Sequence, residues 1–460
     1  MRDLVFIAFL AAIFGMGFRR PFLLVLAYVY IDIVSPQRLT YLLLNSVPIS
    51  LIAVALAVGG WLLADAKKDS RFAPRQGLIA LLMLYCWGTT LTADFPLDAR
   101  DKWDWVWKCL AFAAFLPLTL RTRLRIEALL LFMIVSAASI IIVGGIKTLA
   151  GGGGYGQLDL MVNNNSGLYE GSTISTVAIA IVPLIAWFMR FGTIFPPDWR
   201  VKGFCLALIF ACLLIPVGTS TRTGLLCIVL VALLSIRNAQ RKLLYLGLIG
   251  ACAVMAVPFL PASFTQRMST IENHQADESA STRVAVWGWT MDYVRSHPFG
   301  GGFDAYRGNH IRYEIKRADP AAGPAAALTD TAVTDKARGY HSAYFEMLGE
   351  QGYFGLALWL SISLIGLVRM EVLRRRYRDR DGEFAWAGPL AAALQTAHIV
   401  YLLGAAFIAI AFQPFIYMLI GAQIGLDTYL ARRRKEAGGM DGFVRRRPPS
   451  PPLPPPPLPA

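Results

Sequence analysis

Two arginines and a histidine are the residues whose types and positions best suit chemistry. Arg222 lies in the segment TSTRTG, between apolar runs that end at Gly218 and resume at Leu225. An unpaired cation inside a membrane costs several kcal/mol, so an ionisable residue there marks by default a polar cavity and a functional site. Arg283 lies in STRVAVWGWTMDYVRSHP and His341 in RGYHSAYFEMLGEQGYFGL. Because guanidinium groups bind phosphate oxygens through paired hydrogen bonds and histidine can take a proton near neutral pH, the three predict a site for a doubly charged anion.

Each of these residues also has a plainer interpretation. Arg222 can serve only to cap a helix or to contact lipid headgroups. Arg283 shares a helix face with Trp287, and an interfacial anchor would place its guanidinium among headgroups. A histidine at the first turn of a helix, as expected for His341, often caps or packs. The residues alone leave these alternatives open.

The elements that must position these residues are membrane-spanning helices. Hydrophobic residues make up 56% of the 460-residue chain and the mean hydropathy is +0.50, which does not describe a soluble globule with one core. We predict an all-α polytopic membrane protein with about 12 or 13 transmembrane helices, the lower number if the first two runs form one broken unit. The N-terminal segment has no small-residue cleavage site and is expected to be retained. The apolar runs fall at about 4–18, 21–35, 41–64, 77–93, 104–120, 126–147, 171–190, 203–219, 224–237, 243–262, 352–370, 386–410 and 412–430.

The orientation follows from the short basic loops, which collect on the cytoplasmic side of membrane proteins. The net charge of +14 therefore mainly reflects membrane orientation and does not indicate nucleic-acid binding. Binding of a basic surface to anionic lipids stays an open alternative. If successive loops lie on alternate sides of the membrane from the third apolar run onward, the loops 94–103, 148–170, 219–224 and 263–343 lie outside the cytoplasm. The basic loops lie at 19–20, 67–75, 121–125, 237–242, 374–381 and 431–439.

The predicted organisation has three regions. Residues 1–169 hold N-terminal transmembrane helices, and residues 170–430 form a membrane domain that includes a large extracytoplasmic loop at 263–342. Residues 431–460 are a basic, Pro-rich tail that we expect to be disordered and cytoplasmic. The six cysteines lie in or beside apolar runs without metal-ligand spacing, so neither a disulfide framework nor a zinc site is predicted, and nothing requires a metal.

The large loop should contain one helix and a flexible insertion. STRVAVWGWTMDYVRSHP predicts a helix capped by Ser281 or Thr282 and ended by Pro298, with an apolar face of Val284, Trp287, Met291 and Val294 on the membrane interface. The turn HPFGGGF at 297–303 lacks the strand and the GK of a phosphate loop. Within residues 304–337, the stretch DPAAGPAAALTDTAV is expected to form a mobile insertion. Gly349, Gly352 and Gly355 would let another backbone approach the following helix closely.

Three segments in this order carry a resemblance to a known family. STRTG lies between two spans, TRVAVWGWTMDYVRSHPFGGGF in the large loop, and HSAYFEMLGEQGYFGL leads back into the membrane. Over about residues 170–430, this succession resembles the bacterial O-antigen ligase and polymerase superfamily. The N-terminal part, with RRPF and KWDWVWK, is similar to the subgroup of O-glycosylation ligases associated with exosortase A.

The resemblance implies a metal-independent glycosyltransferase without cofactor in the bacterial inner membrane. It would move a preassembled glycan from undecaprenyl pyrophosphate to an acceptor hydroxyl of a protein or lipid, on the periplasmic side. Arg222 and Arg283 would hold the pyrophosphate, and His341 would orient or deprotonate the acceptor hydroxyl. Arg338 and Glu346 are supporting candidates. Its partners would be the lipid-linked donor, the acceptor and membrane lipids, with no nucleic acid.

Three other functions stay open. A polysaccharide polymerase of the same superfamily would use the same donor with a lipid-linked glycan as acceptor. Another class of membrane glycosyltransferase places catalytic acids in its first large outer loop, for which DFPLDARDKWDW offers Asp94, Asp98, Asp101 and Asp104. A non-enzymatic flippase or transporter of lipid-linked glycans would distribute charge through the spans, whereas here the distinctive charge gathers on one face.

Overall fold

The computed structural model describes residues 2–40, 44, 47–67, 70–151, 168–237, 278–318, 328–378 and 382–444. Within these ranges the chain is predominantly helical, which confirms the predicted all-α polytopic class. The first ten helices are α1 (Arg2–Arg19), α2 (Phe22–Val34), α3 (Pro36–Leu39), α4 (Ile49–Ala64), α5 (Pro74–Leu91), α6 (Pro96–Thr119), α7 (Arg123–Gly151), α8 (Gly171–Phe191), α9 (Trp199–Gly218) and α10 (Arg222–Ile236).

The described part of the second half contributes four more α-helices and a β-hairpin. They are α11 (Glu278–Ser296), α12 (Ala343–Arg376), α13 (Ala387–Ala405), α14 (Pro414–Val444), β1 (His310–Ala318) and β2 (Leu328–Lys336). Twelve of the predicted apolar runs coincide with helices, and the run at 243–262 lies outside the described residues. Among the residues that the structure describes, five stretches are long and apolar enough to cross a membrane: Arg123–Ala150, Gly171–Phe191, Trp199–Gly218, Ala343–Arg376 and Gly382–Ala405.

The interior of the bundle is built around α8, α13 and the first half of α14. The membrane-length window of α8 is 72% buried, whereas that of α9 is only 33% buried and exposes large side chains such as Phe204, Leu206 and Phe210. Since apolar side chains on the outside of a membrane bundle face lipid tails without penalty, α9 is expected to lie at the lipid boundary. α8 packs against both α9 and α13. The turns at the ends of α8 are therefore held by a rigid interior.

The stretch DPAAGPAAALTDTAV, predicted as a mobile insertion, covers 319–333; residues 328–333 belong to β2, and residues 319–327 lie outside the described part. β1 and β2 pair in antiparallel register from His310 with Lys336 to Ala318 with Leu328, and α11 packs on β1. Ile311 and Tyr313 point into a small core with Val286 and Tyr340. Alternating apolar and polar residues at 310–313 provide the two-residue period of such a strand.

Two predicted boundaries were wrong. α11 begins at Glu278 instead of at a cap on Ser281 or Thr282. Its buried face is set by Val286 and Val294, while Val284 is 66% exposed, so the predicted apolar face is rotated towards the hairpin and α12. α14 continues to Val444, past the predicted start of a disordered tail at residue 431. The reason is that the part of α14 that begins at residue 431 is rich in Arg, Lys and Glu, which have high helix propensity and form ion pairs one turn apart. Residues 445–460 lie outside the described part.

Candidate functional site

Arg283 and His341 are brought together by the docking of α11 on the segment that enters α12. The indole Nε1 of Trp287 donates a hydrogen bond to the carbonyl oxygen of Tyr340 at 2.9 Å. The same indole stacks on Phe345, with 4.9 Å between ring centroids and 3° between the planes. Arg283 lies one turn before Trp287 on the same face, so its positive charge acts directly on the His341 ring.

The backbone and the surroundings of His341 are unusual. Its φ of 49° lies in the left-handed region, which costs a residue with a side chain free energy and concentrates at functional sites. Although part of its surface is exposed, the protein atoms packed around the ring remove solvent, and this desolvation lowers the pKa of His341. The charges of Arg283 and Arg338 lower the pKa further, while Glu170 opposes them. The ring is therefore neutral near pH 7 and can accept a proton.

Arg222 begins α10 at a turn that hydroxyl groups fasten to α8. Thr221 Oγ1 donates to Ser175 Oγ at 2.9 Å, and Thr219 Oγ1 lies 2.8 Å from the same oxygen. Ser220 between them has a φ of 50°, which turns the chain sharply enough for α10 to start at once. The half-buried Arg222 is thus held beside the N-terminal turn of α8.

Glu170 is a residue of this region that sequence reasoning missed. Its carboxylate caps α8 by accepting hydrogen bonds from the backbone N–H groups of Ser172 at 3.0 Å and Thr173 at 2.6 Å. The same carboxylate acts on the charge state of His341. The N-terminal end of α8 therefore borders both the Arg222 turn and the pair Arg283–His341. An acidic residue directly before the helical run GSTIST was the available signal, since carboxylates favour helix N-termini.

The two supporting candidates have different surroundings. The guanidinium of Arg338 pairs with Asp335, and its backbone exchanges hydrogen bonds with the Asn309 side chain at 3.0 and 2.7 Å. Arg338 thereby closes the end of the hairpin next to His341. Glu346 turns away from this pair: it accepts from Lys102 Nζ at 2.7 Å and from the backbone N–H of Ala411 at 2.9 Å.

Lys102 is the centre of a buried charge cluster that the sequence did not reveal. Its ammonium group lies 2.7 Å from Glu346 and 2.8 Å from Glu350, and 3.9 Å from Asp304. The backbone N–H of Asp304 also donates to Glu350 at 3.0 Å. Burying such charges is tolerable only when they are paired and hydrogen-bonded. The cluster therefore ties α6 to α12 and to the loop after α11.

The glycine turn that follows α11 is a packing element. The N–H groups of Gly301 and Gly302 donate to the carbonyls of Gly349 and Glu350 at 3.1 and 3.0 Å, where α12 kinks at Gly352. These donors are consumed by the protein, which excludes their use as a phosphate loop. The close backbone approach predicted at Gly352 is confirmed, because a Cβ there would lie 2.2 Å from the carbonyl oxygen of Pro298.

A cavity of about 420 Å³ opens beside the charge cluster. The end of the bundle that carries α11, the hairpin and the Arg222 turn is called the loop face below, and the cavity lies on it. Gly339 and Tyr340, which directly precede His341, form part of its wall. The charged residues that line the cavity are Asp98, Asp101, Lys102, Asp304, Arg307, Glu346 and Glu350.

The four aspartates proposed as catalytic acids of another transferase class are not gathered at one point. Asp94 accepts from the hydroxyl of Tyr293, Asp104 pairs with Lys108 at 2.8 Å, and Asp98 pairs with Arg307 at 3.0 Å. Two of the acids, Asp98 and Asp101, line the cavity. Within the described ranges, no group of three or more His, Cys, Asp or Glu side chains is arranged to hold a metal ion. The five cysteines that the structure describes are buried thiols.

Two family comparisons cover most of the chain. Residues 205–360 match the O-antigen ligase family, and residues 1–193 match a family of unknown function, DUF5935. A search of curated proteins found no match. The match at 205–360 contains Arg222, Arg283 and His341 and supports membership of the O-antigen ligase superfamily. It likewise supports a multi-pass membrane protein that handles glycans in the manner of a ligase or polymerase.

Proposed function

We propose that this chain is a glycan ligase that transfers a preassembled glycan from undecaprenyl pyrophosphate to an acceptor hydroxyl. The observation that carries the proposal is the meeting of Arg283 and His341 at the entrance to α12, inside the region that matches the O-antigen ligase family. A transfer with a phosphate leaving group needs a guanidinium group to bind the anion and a neutral proton acceptor next to it. The acceptor is a hydroxyl of a protein or of a lipid-linked glycan.

The proposed reaction is a displacement at the anomeric carbon. The acceptor hydroxyl oxygen forms a new bond to this carbon while the bond from carbon to the pyrophosphate oxygen breaks, and the leaving oxygen keeps the electron pair. The acceptor proton passes to the neutral ring nitrogen of His341. Attack from the face opposite the leaving group inverts the anomeric configuration. The products are the glycosylated acceptor and undecaprenyl pyrophosphate.

In this proposal the arginines stabilise the charge that develops on the leaving group. Arg283 lies beside His341, and Arg222 begins α10 at the turn that is bonded to the N-terminal part of α8. Guanidinium forks that are already held in place gain most when the pyrophosphate charge grows, so they act on the transition state more than on the bound donor. Glu170 has a positioning role: it fixes the end of α8 and partly offsets the positive charge around His341.

The lowered pKa of His341 supports the choice of proton acceptor. If His341 were protonated at neutral pH, it would add a cation that binds the donor but could not accept a proton. Desolvation and Arg283 keep the ring neutral instead. The site therefore separates the two tasks: permanent cations hold the anion, and a neutral imidazole activates the acceptor.

The proposal places the loop face on the periplasmic side of a bacterial inner membrane. The support is the distribution of Lys and Arg, since the basic segments at 121–125 and 374–378 lie at the opposite ends of the helices that reach the loop face. Membership of the subgroup associated with exosortase A stays a prediction from the N-terminal segments RRPF and KWDWVWK.

Mass spectrometry of cells with and without this gene tests the proposed function. Loss of an intact multi-sugar glycan from proteins or from lipopolysaccharide, together with accumulation of the lipid-linked donor, is the expected result for a ligase. Shortening of a repeated glycan with unchanged attachment would identify a polymerase. Loss of the glycan with the donor accumulating only on the cytoplasmic side would point to a flippase and contradict the proposal.

A further inference from the structure

The cavity on the loop face is formed jointly by the two matched regions of the chain. Asp98, Asp101 and Trp105 come from α6 in the region that matches a family of unknown function. Asp304 and Tyr340 come from the region that matches the O-antigen ligase family. A cavity of about 420 Å³ is large enough to enclose a ligand of modest size.

The floor of the cavity is rigid. Lys102 lies between the fully buried Glu350 and Glu346, which is 4% exposed, and its three short contacts to their oxygens satisfy its three N–H groups. The carboxylate of Glu350 also accepts from the backbone N–H of Asp304. These bonds are internal to the protein, so the floor is held in shape without a ligand.

The charge of the cavity is opposite to that of the Arg222 and Arg283 region. Five of its lining side chains are carboxylates and two are cations. Asp101 at the rim is exposed and Asp304 is half-buried. Carboxylates repel phosphate groups and accept hydrogen bonds from hydroxyl groups. The cavity therefore disfavours the pyrophosphate and suits an uncharged ligand that carries several hydroxyl groups.

Aromatic surfaces complete the lining. Trp105, Tyr306 and Phe412 contribute to the wall, and flat aromatic faces pack against the C–H surfaces of a ring while leaving its hydroxyl groups to polar partners. Tyr340 is 1% exposed, yet its hydroxyl has no hydrogen-bond partner among the residues that the structure describes. A buried hydroxyl without a partner is costly, and a ligand group that bonds to it would remove that cost.

We propose that this cavity is a subsite for an uncharged sugar residue of one of the two glycan substrates. The inference rests on the proposed function, which supplies substrates made of sugars. Asp98 and Asp101 accept hydrogen bonds from the sugar hydroxyl groups, Tyr340 offers its hydroxyl, and Trp105 covers a ring face. The role of the N-terminal region is thus to form one wall of the substrate site.

The position of the cavity relates the subsite to the transfer step. Gly339 and Tyr340 line the cavity, and the next residue is His341. A sugar held there lies against the segment that leads directly into the proposed proton acceptor. The same sugar chemistry is available from the acceptor or from the donor glycan, and kinetic constants distinguish these two sources.

Binding can be measured without turnover, so that failure of the subsite and failure of the transferase proposal are separable. The protein is placed in phospholipid nanodiscs free of sugar-based detergent. Saturation-transfer NMR then records binding of the methyl glycosides of glucose, galactose and N-acetylglucosamine, with methyl glucuronide as the anionic counterpart. We expect millimolar binding of at least one uncharged glycoside and weaker binding of the glucuronide.

Three variants define the contacts. Asp101→Ala removes a charged acceptor and should weaken binding by about 10–100-fold. Tyr340→Phe removes only the hydroxyl and should weaken binding by about 3–10-fold, with an unchanged melting temperature. The matched control is Asp104→Asn, because Asp104 lies on the same helix but pairs with Lys108 outside the cavity. This control should bind like the natural protein.

The outcomes decide the proposal. Absence of binding for all three uncharged glycosides would overturn it, as would stronger binding of the glucuronide or equal binding in Asp101→Ala, Tyr340→Phe and the control. In a transfer assay, a higher KM for the acceptor in Tyr340→Phe would assign the subsite to the acceptor, and a higher KM for the donor would assign it to the donor glycan. A lower kcat with both KM values unchanged would contradict a binding role.

Discussion

Replacing Gly352 by alanine should unfold the framework of the site. Gly352 has a φ of 63° and a ψ of −167°, a combination that is open essentially to glycine alone. An added Cβ would lie 2.2 Å from the oxygen of Pro298, 2.4 Å from the carbonyl carbon of Phe299 and 2.5 Å from the nitrogen of Gly300. All three are backbone atoms, so no side chain can rotate away to make room.

The magnitude follows from two contributions. The backbone conformation costs an alanine about 1–3 kcal/mol. Moving residues 298–300 aside also loosens the hydrogen bonds from Gly301, Gly302 and Tyr353 that cross the kink, each worth about 0.5–1.5 kcal/mol. The expected loss in the free energy of unfolding is therefore about 3–5 kcal/mol, which is a large part of the stability of a typical protein.

Thermal unfolding followed by fluorescence-detected size-exclusion chromatography measures this effect. The matched control is Gly88→Ala, because Gly88 lies within α5 and a Cβ there meets no atom within 4 Å. The control should be neutral or more stable by up to about 1 kcal/mol, the helix preference of alanine. A Gly352→Ala protein that melts with the control would refute the kinked geometry and the docking of the glycine turn on α12.

Three further predictions concern the site and its orientation. Arg222→Lys should remain strongly impaired at near-normal abundance, because an ammonium point charge replaces a fork, and wild-type transfer by Arg222→Ala would show that the residue only caps α10 or contacts lipid. The kcat/KM for transfer should fall as the pH drops through the lowered pKa of His341, below 6.5, because protonation removes the proton acceptor. In Arg283→Gln this fall in kcat/KM should move to higher pH, since a charge that lowers the pKa of His341 is gone. A fall at the same pH in this variant would exclude the electrostatic coupling of Arg283 and His341. Cysteine labelling from outside intact cells should modify cysteines engineered into 263–340 and spare those engineered into 374–381 and 431–447. The reverse pattern would overturn the orientation.

The helical framework could be predicted because membrane-length apolar runs are a strong local signal. The hairpin could not, because DPAAGPAAALTDTAV has the composition of a linker, and the strands gain a core through contacts of Ile311, Tyr313 and Val333 with Val286 and Tyr340. The rotated face of α11 has a similar cause: Val286 is buried by tertiary partners, whereas the apolar spacing alone favoured Val284.

The candidate site was predictable where charge interrupts an apolar pattern. Arg222 and His341 stand out in this way, and Arg283 shares a helix face with the tryptophan that docks its helix. Lys102 and Glu350 do not, because α6 and α12 are far apart in sequence and only the tertiary fold brings these two residues together. Glu346, which the sequence offered as a supporting candidate, is a partner of Lys102 in this cluster.

The role of His341 in the transfer step is tested most directly by separating donor binding from turnover. Purified natural protein and His341→Ala are given a synthetic undecaprenyl-pyrophosphate-linked glycan, first alone and then with an acceptor extract. The variant should bind the donor nearly as well as the natural protein, because Arg222 and Arg283 are intact. Transfer should fall by about 10²–10⁴-fold, the usual contribution of a positioned acid or base. Unchanged turnover in His341→Ala would contradict the account, and an equal loss of binding and turnover would place His341 with the arginines that hold the pyrophosphate.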